Sequence, residues 1–333
     1  MPRFMVAVAW MILSPLAVIT DTIGVVVCLH YRPSFHSCDV AFISIFVTMA
    51  ASSAILFPVP AIIKLGDLSW NKNLCLFYTW LAIALRTSHL LVLLVLNVYW
   101  VASLRMSTKG RMFQSTTPMK ATIGACWIVS LLVGLPPVNE VCSFLPADVH
   151  VGYAVFFIIL SLVSVIMGFI STLDTLLLLR SIRDAVASRH RTAGIQAPTF
   201  SGAVDGRSQA HVEHKELNVS IELCSLIMYF SVGSAAMNAL PLLVSQFMEL
   251  TQTLDLQVLE VALLWLLLIE SLVLPHVLWA LSRRYRHAGA YTWKVFVLRD
   301  QGAVEADAAV CTLQAFRTKV KDADDMHRVR SLQ

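Results

Sequence analysis

Seven long, almost uncharged apolar runs constrain this chain more than anything else in it: about Phe4 to Leu29, Val40 to Leu65, Leu74 to Leu104, Ala121 to Val138, Val151 to Leu179, Leu217 to Phe247 and Leu256 to Leu281. A helix needs about 20 apolar residues to cross a bilayer, and a buried helix of a soluble domain needs far fewer. The runs are continuously apolar rather than alternating, which selects helices over barrel strands, because each helix satisfies its own backbone hydrogen bonds in lipid. Only 14% of the 333 residues are charged, against about a quarter in soluble domains. The fold class expected is an all-α membrane protein, a seven-transmembrane-helix bundle. Its least regular member is the sixth run, which holds Glu222 and Asn238.

Lysine and arginine set the orientation, since short loops rich in them stay cytoplasmic. Arg32, then Arg105, Lys109, Arg111 and Lys120, then Arg180 through Lys215, then Arg283 onward all fall on one side of the predicted membrane. The other side has Arg3, Lys64 and Lys72, and its loops around Glu140 to Asp148 and Glu249 to Asp255 have none. The N-terminus is therefore expected outside, with the first helix serving as its own signal anchor. The net charge of +4 belongs to this topology and gives no reason to expect nucleic acid as a partner.

Of seven cysteines, Cys28, Cys126 and Cys224 fall in predicted helices, and Cys38 and Cys311 face the reducing side. Cys75 opens the third run and Cys142 lies in the second outer loop, so a disulfide between them is the pairing that topology and compartment allow, with two free thiols as the alternative. Ser188 to Glu216 has no hydrophobic periodicity and reads as a flexible cytoplasmic loop. Ser282 to Leu298 sets Tyr285, Trp293, Phe296 and Val297 among Arg283, Arg284, Arg286 and Lys294, the pattern of an amphipathic eighth helix lying on the inner leaflet. The competing reading is a basic stop-transfer flank. Residues 1–298 then form one membrane domain and 299–333 a disordered cytoplasmic tail, its charges mixed in sign. Asn218-Val219-Ser220 is a chance glycosylation match on the cytoplasmic side.

The layout resembles the rhodopsin-like (class A) G-protein-coupled receptors across roughly Met1 to Leu298. Trp127 and Pro136-Pro137 stand where the family has its fourth-helix tryptophan and outer prolines, and Pro58 lies near the outer third of the second helix. Cys75 and Cys142 match the family disulfide. Leu274-Pro275-His276-Val277-Leu278 occupies the place of Asn-Pro-x-x-Tyr, and Tyr285 follows where an aromatic residue opens the eighth helix. The departures fall at the activation switches. The family's Asp-Arg-Tyr lands on Tyr99-Trp100-Val101 or on Asn97-Val98-Tyr99, without an arginine either way. Met49 replaces the second-helix aspartate, Gly233-Ser234-Ala235-Ala236 replaces Cys-Trp-x-Pro, and the fifth helix has no proline.

Ionisable side chains near mid-membrane cost at least ~2.5 kcal/mol each and so usually face the bundle interior. Asp21, Arg86, His89 and Glu270, with Ser271, fall at that depth, near the positions of the family's sodium pocket. Asp21 precedes Met49 by 28 residues, the family's first-to-second-helix spacing. An internal salt-bridged network is expected there, with Arg86 or protonated His89 in place of a metal ion. The plainer reading is that these groups hold helices one, three and seven in register; the sharper one is a ligand- or proton-sensitive switch.

The resemblance implies an orphan receptor at the plasma membrane, in contact with lipid, that binds an unidentified extracellular ligand and meets a heterotrimeric G protein or arrestin at its inner face, with coupling weakened by the missing arginine. Ala82 stands seven residues after Cys75, where amine receptors carry aspartate, which argues against a biogenic amine. The seventh run has no lysine for a retinal Schiff base. Within the apolar runs no two histidines stand at helical spacing, so no enzyme, metal or cofactor is expected. The competing function is a non-signalling seven-helix scaffold or partner for other membrane proteins.

Overall fold

A computed structural model describes residues 2–30, 37–69, 71–105, 116–135, 151–193, 225–234, 236–237 and 256–296. All the regular structure among them is helical: α1 (Pro2–His30), α2 (Ser37–Ile55), α3 (Pro58–Leu65), α4 (Lys72–Arg105), α5 (Thr116–Val133), α6 (Val151–Ala193), α7 (Ser225–Ser234), α8 (Leu256–Leu281) and α9 (Arg283–Phe296). Six spans in the described residues are long and apolar enough to cross a membrane, with α2 and α3 together making one of them. The sixth run of the sequence is described mainly over α7, and most of that run lies outside the described residues.

Helix boundaries follow local chemistry. Pro58 brings no N–H to the ladder, so the second span breaks at Leu56 and Phe57 and resumes with the proline in the first turn of α3. The fourth span starts at Thr116, earlier than the apolar run, because Pro118 is tolerated in a first turn. The largest difference lies in the fifth. Helix α6 does not stop at Leu179 but runs on to Ala193, so the loop expected from Ser188 is helical as far as Ala193, and the rest of it lies outside the described residues. Arginine and alanine in Arg180 to Ala193 are good helix formers, and no Gly or Pro interrupts them before Gly194.

The outward faces carry the large apolar side chains and the inward faces the small polar ones. On α6, Leu162 is 57% exposed while Ser161 is fully buried, the reverse of a soluble helix. Lipid tails are as apolar as leucine, so burying leucine does not drive association; close packing and interhelical hydrogen bonds do. Helix α4 is the most buried of the six described spans, and it packs on α2, α5 and α6. Helix α7 is pinned by Phe230, whose ring meets Phe42 at 5.2 Å and Phe46 at 6.2 Å, both edge-on.

Helix α9 packs on α1 and α8. Tyr285, Ala288 and Thr292 are buried while Arg286, His287, Trp293 and Lys294 are exposed, and the 3 and 4 residue spacing of the buried set makes one stripe of a helix. Its basic residues lie outside that stripe.

Candidate functional site

Three polar clusters interrupt this apolar bundle, and each ties different helices together. The first lies at mid-span. Glu270 of α8 accepts a hydrogen bond from the Ser234 hydroxyl of α7, and His89 Nε2 of α4 stands 3.3 Å from Glu270 Oε1 and 3.0 Å from Ser234 Oγ. Next in the chain, Ser271 donates to Asp21 Oδ2 of α1, and its oxygen lies 2.9 Å from Ser53 Oγ of α2. A hydroxyl has one proton. Ser271 spends its own on Asp21, so Ser53 must be the donor to Ser271, which sets a directed relay from α2 through α8 to α1. Ser14 Oγ closes it by donating to the Ser53 carbonyl.

The consecutive residues Glu270 and Ser271 thus face two different partner sets, as adjacent residues on a helix must. Five of the nine helices among the described residues, α1, α2, α4, α7 and α8, meet through them. Asp21, Glu270 and His89 are all buried. The second carboxylate oxygen of Asp21, also buried, has no hydrogen-bond partner among the described residues. Beside the cluster is a cavity of about 40 Å³ bordered by Met49, Ser53, Arg86, His89, Glu270 and Ser271 among others. That is room for a water or two, not for a drug-sized ligand. Arg86 borders the same cavity, with its guanidinium carbon 5.2 Å from the Phe157 ring centroid and close enough to Glu270 to feel its charge. The ion-pair contact to Glu270 comes from His89, not Arg86.

The second cluster occupies the α9 end of the bundle and was missed in the sequence. Asp39, in the first turn of α2, receives Arg284 Nη2 on one carboxylate oxygen and the Tyr285 hydroxyl on the other. Tyr285 is buried and packs edge-on against Phe42 at 6.1 Å. Burial pushes the Tyr285 phenol well above its usual range, and the neighbouring Asp39 carboxylate pushes it further. For Arg284, burial works against the charged form, but Asp39 outweighs it and holds the guanidinium ionised. An aspartate just before an apolar run reads as an ordinary helix N-terminus. Only the return of α9 to α2 reveals what it holds.

The third cluster stands at the α9-proximal half of α4, where the switch positions were aligned. Asn97 donates to the Ser231 hydroxyl of α7 at 2.6 Å and to the Leu93 carbonyl at 2.9 Å, while its carbonyl oxygen is 3.3 Å from Ser171 Oγ of α6. Trp100 donates to Thr175 of α6 at 3.1 Å, and Tyr99 to Ser37 of α2 at 3.0 Å. A Cβ on Gly168 would come within 3.1 Å of the Ser231 Cβ, so the glycine lets α6 and α7 approach there. Neutral groups therefore hold together the helices at this level.

The other positions singled out from the sequence are placed as follows. Met49 borders the mid-span cavity and belongs to the apolar core. Leu274 and Pro275 are buried within α8, and Leu274 packs in the same core as Tyr285. Trp127 donates to Ser44 of α2 at 2.9 Å. Cys75 is disulfide-bonded, while Cys142, Pro136 and Pro137 lie outside the described residues. Cys28, Cys38 and Cys126 are free and buried. No group of three or more metal-ligating side chains occurs among the described residues.

The fold is that of a multi-pass helical membrane protein with polar clusters in its interior. No family model matches the chain. It is similar to the mouse (Mus musculus) protein named "Probable G-protein coupled receptor 153", with 22% identity over 307 residues that cover 86% of this chain and 48% of that one. It is also similar to the human (Homo sapiens) protein of the same name, 21% identical over 295 residues, or 83% and 48% of the two chains. The chain thus spans about half the length of the curated relatives it matches. The similarity covers most of the chain rather than one motif.

Proposed function

We propose that the chain is an orphan receptor of the rhodopsin-like class at the plasma membrane, its N-terminus extracellular, which binds an unidentified ligand from outside and couples weakly or atypically to a G protein. The observation that carries this reading is Asn97. One of the two alignments sets Asn97 in the third-helix switch, where it is bonded to Ser231 and near Ser171, and the switch arginine itself is replaced by Trp100 or Val98. An amide offers hydrogen bonds but no charge, so on either alignment the switch brings no guanidinium to a G protein.

On this reading Cys75 pairs with Cys142 at the outer surface, α9 is the eighth helix on the inner leaflet, and residues 299–333 are a cytoplasmic tail within reach of a G protein or arrestin. The polar groups around Glu270 take the role that a sodium ion has in the family, with Arg86 or protonated His89 in place of the ion. Cys75-Leu76-Phe77 and His89 also resemble the orphan called probable G-protein-coupled receptor 160, which lacks the same arginine.

The test is ligand-free second-messenger output in cells with and without the chain, together with nucleotide exchange on purified G proteins in membranes that hold it. The expected outcome is a small basal signal and slow exchange. Complete silence with every G protein and arrestin would replace the receptor by a scaffold, and fast agonist-driven exchange would refute the weak coupling. An epitope at Met1 should be labelled on intact cells and one after Gln333 should not.

A further inference from the structure

A cavity of about 780 Å³ bordered by described residues is a predominantly apolar groove between α1, the last turn of α8 and α9. Ile23, Val26 and Val27 form one wall, Trp279 another, and Gly289, Ala290 and Trp293 the floor and rim. Its size lies in the range of about 300–1,000 Å³ that small-molecule sites occupy, and the mid-span cavity is far below it. Two observations suggest that a molecule alongside the bundle fills it. Gly289 sits in the middle of a fourteen-residue helix, where glycine is destabilising relative to alanine, and a Cβ built on it meets nothing within 4 Å, so no described neighbour asks for the small residue. And Ile23 at 41% and Trp293 at 60% exposed leave the two walls open to whatever lies alongside the bundle.

Charge selects among the candidates. Helix α9 carries Arg283, Arg284, Arg286 and Lys294 and no acidic residue. Arg284 is engaged by Asp39, but Arg286 is exposed and borders the groove, with one donor on the Ala280 carbonyl at 2.9 Å and others of its five available. An apolar trough closed at its rim by an arginine matches a molecule with a long alkyl chain and an anionic head at the membrane surface.

We propose that this groove binds an anionic phospholipid, one acyl chain lying over Gly289 between α1 and α9 and its phosphate on Arg286. Residence of such a lipid would fasten α9 to α1 and so complete the bundle at this end. The site depends on the chain spanning a membrane and not on its being a receptor.

The experiment is native mass spectrometry of the full chain released from bilayers of phosphatidylcholine and phosphatidylserine in equal parts. The wild type should retain phosphatidylserine preferentially. Gly289→Leu, which fills the open space without touching protein, should lower retained phosphatidylserine about tenfold, equivalent to roughly 1.4 kcal/mol. Ala290→Leu should act in the same direction. Arg286→Gln should bring the two lipids to equal retention. Gly124→Leu, at another glycine with open space above it but outside the groove, should change nothing. Equal retention of both lipids by the wild type, or a Gly289→Leu protein indistinguishable from wild type, overturns the proposal, as does displacement of the lipid by a sterol. Should the groove variants not fold, phosphatidylserine with a photoactivatable acyl chain tests the unaltered protein. Adducts should concentrate on residues 22–27 and 279–293, and adducts spread evenly over all spans mean ordinary bulk lipid.

Discussion

Asp21 and Asp39 are both buried aspartates in the first two helices, yet the molecule answers their charge in opposite ways. Asp39, at the end of the bundle, has both oxygens occupied, one by an arginine and one by a phenol. Asp21, deep in α1, receives one serine hydroxyl, and its other oxygen has no partner among the described residues. Position explains the contrast. At the bundle end a long arginine reaches the carboxylate from α9, whereas the buried mid-span arginine, Arg86, stands over the Phe157 ring and Asp21 is met by Ser271. The end cluster is thus a completed ion pair that holds α9 to α2. The mid-span cluster is an incompletely neutralised relay in which small changes of protonation or hydration can shift the balance.

That difference is open to direct attack, and thermal stability of the purified chain is the readout. Asp39→Ala strands Arg284 and the Tyr285 hydroxyl together and should cost about 3–5 kcal/mol, the usual penalty for an orphaned buried charge. Asp39→Leu combined with Arg284→Met should recover much of it. If Asp39→Ala were harmless, the end cluster would be a surface contact and the contrast would collapse.

A smaller effect is expected at mid-span. Glu270→Gln keeps an acceptor for Ser234 and removes only the charge facing His89, for a loss of roughly 1–3 kcal/mol. A double-mutant cycle sharpens this: Glu270→Gln with His89→Asn should show coupling, and Glu270→Gln with Arg86→Met markedly less, because His89 makes the contact. Equal coupling in both cycles would return Arg86 to the role of counter-ion.

Third in size is Asn97→Leu, which deletes neutral links from α4 to α7 and α6. Membrane interhelical hydrogen bonds average about 0.6 kcal/mol and reach about 1.7 kcal/mol, so the stability loss should stay within about 2 kcal/mol. A drop as large as that of Asp39→Ala would mean that a charge is hidden there. Last, replacing potassium by sodium should leave the melting temperature unchanged, because the space beside Glu270 is small and already bordered by Arg86 and His89. A clear sodium-specific stabilisation would make the mid-span cluster an ion site and erase its distinction from an ion-paired one.

Much of this was legible in residue order. The depth of Asp21, His89 and Glu270 marked them as interior, and the alternation of Arg and apolar residues after Ser282 marked an amphipathic helix that α9 matches. The identity of partners was not. Arg86 and His89 are equivalent candidates in the sequence, three residues apart on one face of α4, and only packing sets the imidazole on Glu270 and the guanidinium against Phe157. Asn97 looked like one half of an ambiguous alignment until Ser231 and Ser171 were found against it. Ser14 and Ser53, which extend the relay, left no signal, because serine is common in such helices and its hydrogen bond to another chain segment has no local spacing rule.

The sequence by itself determined the solvent and the element type: long apolar runs fit only a bilayer, and in a bilayer an unpaired backbone is too costly for anything but helices. Charge asymmetry across those runs is likewise a property of order along the chain. What the tertiary structure alone decided is which polar groups meet. In lipid the drive to bury apolar surface no longer sorts one helix face from another, so rotation and pairing are set by where small residues permit close approach and where each hydroxyl, amide and carboxylate finds its partner. That is a property of three-dimensional fit, which is why Asp39 finds Arg284 across 245 residues while Asp21 has only a serine.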